Sequence, residues 1–76
     1  MKNIFENRLK LIEAGETMYI ADDFYDAALR IVPEERLAVY IKYRGQKERK
    51  IDYREEIVYQ IEHGGEFISK DEYELF

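Results

Sequence analysis

The sequence predicts an α+β fold: a small antiparallel sheet, with a β-hairpin over about residues 36–54, packed against two or three short helices. Three observations carry that expectation. Leu37, Val39, Ile41 and Tyr43 alternate with Ala38, Tyr40, Lys42 and Arg44, the two-residue period of a half-buried strand. Ile4, Phe5, Leu9, Leu11 and Ile12 instead recur at helical spacing. Asp52 with Glu55, and Ser69 with Glu72, have the spacing of capping boxes and mark helix starts.

Taken in order, residues 2–14 read as an amphipathic helix ended by Gly15, and TMYI, residues 17–20, as a short strand. Asp22 or Asp23 then caps a second short helix running through Ile31, because a carboxylate accepts the free N–H groups of a first turn. Pro33 closes that segment. Residues 36–44 also fit a capped helix, with Pro33, Glu34 and Glu35 at its start and Gly45 at its end. Their alternation and their β-forming side chains favour a strand. RGQK is then the turn, and Lys50 to Tyr53 returns with Ile51 and Tyr53 facing the core. Asp52 opens a third helix through Glu62, with Ile57, Val58 and Ile61 on its buried face and Gly64 and Gly65 at its end. Phe67 and Ile68 add an extended piece, and Ser69 caps a short terminal helix. The helices are expected on one face of the sheet, and residues 1–76 form one compact domain.

Composition fits a folded domain with few means of support. Of the 76 residues 46% are apolar, and seven Tyr and four Phe supply large side chains. Folding a chain this short removes only about 60% of its unfolded surface from water, so the core must be efficient. There is no Cys, hence no disulfide and no thiolate metal site. The longest apolar run, LAVYI, is far below the roughly 20 residues of a membrane span. Charges interrupt the N-terminal apolar positions, unlike a secretory signal, and a cytoplasmic location is expected.

Catalytic chemistry finds little purchase. Thr17 and Ser69 are each the sole residue of their type, with no neighbouring base to activate them. His63 stands at a predicted helix end, where an imidazole meets the negative pole of the helix, and one His without Cys makes a poor zinc site. Asp22, Asp23 and Asp26 lack the alternating ligands and central Gly of a calcium loop. Adjacent carboxylates at Glu34 and Glu35, or Glu55 and Glu56, do not share a helix face. Gly64 and Gly65 lack the spacing and the Lys of a phosphate loop. No catalytic residue, metal or cofactor is assigned, and the chain is expected not to be an enzyme.

Charge is the informative feature. The chain carries −5 overall, yet Lys42 to Lys50 holds five basic residues and one acidic one, +4 against −9 for the remainder. Tyr40, Lys42 and Arg44 on the outward hairpin face, with Lys47, Arg49 and Lys50 at its tip, form the candidate contact surface for a larger protein with an acidic patch. The bland alternative is that these charges guard a strand edge against pairing. Basic residues interleaved with Tyr also suit single-stranded nucleic acid, although the −9 elsewhere opposes its approach. A third possibility is that the basic pole docks on the acidic body of another copy.

ADDFYDA, followed by a hairpin and a helix, resembles part of a small phage protein that inhibits a bacterial dGTP hydrolase. The likeness covers a short stretch and implies a class of function, not a family: a small acidic modulator that regulates a larger enzyme by binding it.

Overall fold

A computed structural model describes residues 13–76 of the chain. Among them, β1 (Met18–Asp22), β2 (Ala27–Val32), β3 (Ala38–Tyr43), β4 (Arg49–Ile51) and β5 (Glu66–Phe67) form one sheet in the order β4-β3-β2-β1-β5. Every pairing is antiparallel. Helices α1 (Glu56–Gly64) and α2 (Lys70–Glu74) complete the α+β fold, and a 3₁₀ turn at Pro33–Glu35 joins β2 to β3. The helix expected over residues 2–14 falls, but for its last two residues, outside the described residues.

The register assembles the core. Met18 pairs with Ile31 and Ile20 with Leu29, and these in turn pair with Val39 and Ile41 on β3. One face of three strands is therefore continuous Ile, Leu, Val and Met, and α1 covers it with Val58 and Ile61. Burying each such side chain contributes roughly 1.5–3 kcal/mol. Ile57, Ile51 and Tyr43 pack around the margin, half-buried. Tyr53, expected in the core beside Ile51, lies beyond the end of β4 and is exposed.

Residues 22–31 are not a helix. Asp22 ends β1, residues 23–26 make a turn, and Ala27–Val32 is the central strand of the sheet. Five of the six β2 residues are buried, because the strand is covered on both faces. A strand buried on both sides reads as an unbroken apolar run, and such a run carries no period of two to set it apart from a helix. The aspartates serve the turn instead of a helix start: Asp22 Oδ1 accepts the Phe24 N–H at 2.8 Å, and Asp26 takes a left-handed φ of 52°.

Two further expectations are corrected. Asp52 does not open α1: its carboxylate accepts the Arg54 N–H at 2.8 Å, and Glu55 occupies the N-cap position without a side-chain cap. The bidentate Arg54 guanidinium competes for the carboxylate, which is drawn into a local turn. The helices also lie on opposite faces. Tyr19 and Lys42, which contact Tyr73 of α2, alternate along their strands with Ile20 and Ile41, which belong to the core under α1. Ser69, by contrast, caps α2 with the full reciprocal box, Glu72 N–H to Ser69 Oγ and Ser69 N–H to Glu72 Oε1.

Candidate functional site

The outer face of the sheet, away from α1, carries the polar chemistry. Cross-strand pairing lines up Tyr19, Arg30, Tyr40 and Lys50 in one row. Arg30 is the one charged residue of β2, and its guanidinium lies 4.1 Å from the Tyr40 ring centroid. Its counter-ion is Glu48, folded back from the β3–β4 connection: Nη2 donates to Oε2 at 2.7 Å and Nε to Oε1 at 3.1 Å. The Tyr73 hydroxyl donates to the same Oε1 at 2.7 Å, and its ring lies 5.2 Å from that of Tyr19. One carboxylate thus ties the hairpin, the central strand and the terminal helix together.

The electrostatics agree with a clamp. Hydrogen bonding from Arg30 holds the Glu48 carboxyl below the usual glutamate range, and the same bond raises Arg30. Burial, then the Glu48 hydrogen bond, pushes the Tyr73 phenol up. A carboxylate driven down and a phenol driven up both move away from neutral pH, opposite to what general acid–base chemistry requires. The cleft bounded by Tyr19, Arg30, Lys42, Lys47 and Tyr73 has a volume of about 730 Å³ and is open to solvent. No group of three His, Asp or Glu side chains among the described residues is placed to hold a metal ion.

The six residues singled out in the sequence divide into two sets. Three are engaged within the chain. Tyr40 donates to Glu35 Oε1 at 3.0 Å, a bond that raises its phenol. Lys42 Nζ donates to the carbonyls of Tyr73 and Glu74 at 3.0 and 2.8 Å, placing a cation at the carbonyl end of α2. Arg44 pairs with Asp26 and, at 3.8 Å, with Asp23, and its guanidinium stacks 4.1 Å from the Phe76 ring centroid. The other three, Lys47, Arg49 and Lys50, are exposed. No ion pair or side-chain hydrogen bond engages them among the described residues. Lys50 shares the outer face with Tyr40 and Lys47 lines the outer cleft, whereas Arg49, opposite Ile41, falls on the other side of the edge strand.

Arg30, Glu48 and Tyr73 escaped the sequence reading. Arg30 was open to detection, since a guanidinium inside AALRIV needs a counter-ion once that stretch is buried. Glu48 lies 18 residues away in an otherwise basic turn, and no local pattern marks it as the partner. His63 sits in the last turn of α1 with its ring 3.9 Å from that of Tyr59.

No family model and no curated protein matches the chain. Among solved structures, it is similar to a chain in the crystal structure of the complex between the Type VI effector Tas1 and its immunity protein. The TM-score is 0.70 at 22% identity, over 76% of this chain and 78% of that one. Chains of similar length share this fold across most of both sequences, and at that identity the likeness speaks for the fold alone.

Proposed function

We propose that the chain is a small non-enzymatic protein-binding module of the immunity type, which inhibits or modulates a larger protein by occupying its surface. The observation that carries the reading is the trio Lys47, Arg49 and Lys50, three exposed cations without an ionic partner among the described residues, on a turn and edge strand that the Arg30–Glu48–Tyr73 clamp holds in place. With the backbone held in this way only the side-chain rotamers are left to order on binding, and the charges steer an acidic surface toward this edge. A structural neighbour drawn from an effector–immunity complex supports the same class. Nucleic acid is the weaker reading, since Lys42 and Arg44 are already engaged and the Tyr40 ring, which a base would stack on, is covered by Arg30. No helix among the described residues is long and apolar enough to cross a membrane, and we place the chain in the cytoplasm with its target.

The test is a tagged pull-down from a cell extract, in nuclease-treated and untreated halves, run beside the triple variant Lys47→Glu, Arg49→Glu, Lys50→Glu. A stoichiometric protein band that survives nuclease and is lost or slowed with the variant supports the reading. Capture that vanishes with nuclease assigns the surface to nucleic acid, and capture indifferent to the variant moves the contact elsewhere.

A further inference from the structure

A second cleft opens where the β1–β2 turn, the end of α1 and the C-terminal residues meet, with a volume of about 550 Å³. It is bordered by Glu66 of β5, the strand at the opposite edge of the sheet from β4 with its Arg49 and Lys50. Phe24 and Leu75 line it while remaining 85% and 87% exposed. Two large apolar side chains kept in water around one opening mark a contact surface, because scattered exposure does not converge on a cleft.

The cleft also holds a carboxylate short of a donor. Asp22 is 7% exposed, its Oδ1 accepts the Phe24 N–H, and no described group donates to Oδ2. Gly64 keeps the way open: a Cβ at that position would stand 2.9 Å from Oδ2. A carboxylate oxygen withdrawn from water without a donor is unfavourable, and a cation offers the strongest compensation. Three further lining residues, Asp23, Glu66 and Glu72, are acidic. Arg44, the cation lining the cleft, is held by Asp23 and Asp26 and stacked on Phe76.

We propose that this cleft is a docking site for an arginine or lysine side chain of a partner protein, next to an aliphatic or aromatic one. The cation meets Asp22 Oδ2, and its apolar neighbour lies between Phe24 and Leu75. Among the described exposed cations of the basic trio, a second copy of this chain fits less well: Lys47 and Arg49 have only polar or charged neighbours in the chain, and Ile51, beside Lys50, is packed against the core. The site is separate from the basic trio and stands whether or not that trio binds an acidic surface.

The probe is a blocked hexapeptide of alternating leucine and arginine, titrated into the ¹⁵N-labelled full chain, with a leucine–glutamate peptide as control. The expected result is saturable shifts at the Phe24, Gly64, Gly65 and Leu75 amides with the arginine peptide and none with the control. Asp22→Asn keeps an acceptor for the Phe24 N–H and removes the charge, so the turn persists while affinity falls by about tenfold or more. Phe24→Ala and Leu75→Ala change only exposed side chains and weaken binding severalfold. Equal affinity for wild type and Asp22→Asn overturns the proposal. So does an absence of shifts at millimolar peptide, or shifts clustered at other carboxylates. A concentration-dependent dimer by light scattering that Asp22→Asn dissolves would give the cleft to a second copy and overturn it as well.

Discussion

Replacing Glu48 with Ala removes the acceptor shared by Arg30 and Tyr73, and the loss can be apportioned. The Arg30–Glu48 pair is bidentate but its side chains are 27% and 32% exposed, so solvent screening limits it to about 1 kcal/mol. Tyr73 is only 4% exposed, and a phenol left there without an acceptor costs about 1–3 kcal/mol. Together the variant should lose about 2–4 kcal/mol, which in a domain this small lowers Tm by on the order of 10–30 °C. Urea denaturation followed by circular dichroism measures it, and a cycle with Tyr73→Phe isolates the coupling, expected at about 1–2 kcal/mol. The effect has a defined pH dependence. The folded-state pKa of Glu48 lies below its ordinary value, so its contribution is complete above the ordinary glutamate range and is lost as pH falls through the depressed value. The gap between wild type and Glu48→Ala should therefore be full at about pH 7 and shrink as pH falls below the ordinary glutamate range. A loss under about 0.5 kcal/mol, with no coupling to Tyr73, would show that α2 is held by its apolar contacts alone.

Other outcomes follow from single positions. Gly65→Ala should be severely destabilising, since its Cβ would stand 2.6 Å from the Ile61 carbonyl oxygen and 2.7 Å from that of Ala21; Gly45→Ala, at φ +75° with nothing within 4 Å, should cost only about 1 kcal/mol in thermal melts. Arg36 is exposed and left-handed at φ 58°, so Arg36→Gly should relieve about 1–2 kcal/mol of strain and, after the entropy of glycine, stabilise by about 0.5–1 kcal/mol. Asp52 is held down to about 2, first by its side-chain hydrogen bond with Arg54; carboxyl titration by NMR should find it there and find it raised toward the usual range in Arg54→Gln. The triple reversal of Lys47, Arg49 and Lys50 should leave stability within about 0.5 kcal/mol per site, because all three are exposed and none has an ionic partner to lose among the described residues.

Local chemistry was legible in the sequence wherever neighbours in the chain are neighbours in space. The alternation over residues 37–43 gave the strand and its core face, the turn at Gly45 gave the hairpin, and Ser69 with Glu72 gave the terminal cap, each a pattern closed within a few residues. Long-range placement was not legible. AALRIV lost its alternation because it is buried on both faces, and only the assembled layers reveal that it is the central strand. The sequence could show that Lys42 to Lys50 concentrates positive charge, since charge is a property of composition. Which of those cations are engaged was settled by groups brought from elsewhere, the α2 carbonyls to Lys42 and Asp26 to Arg44, leaving Lys47, Arg49 and Lys50 in water. Asp22 makes the same point in reverse: by itself it reads as a helix cap, and chain closure sets Gly64 against it as a buried carboxylate whose Oδ2 has no donor among the described residues. Sequence thus determined the supply of charges and apolar faces, and the tertiary fold decided which of them meet, because an ion pair or a layer depends on distance in space and not along the chain.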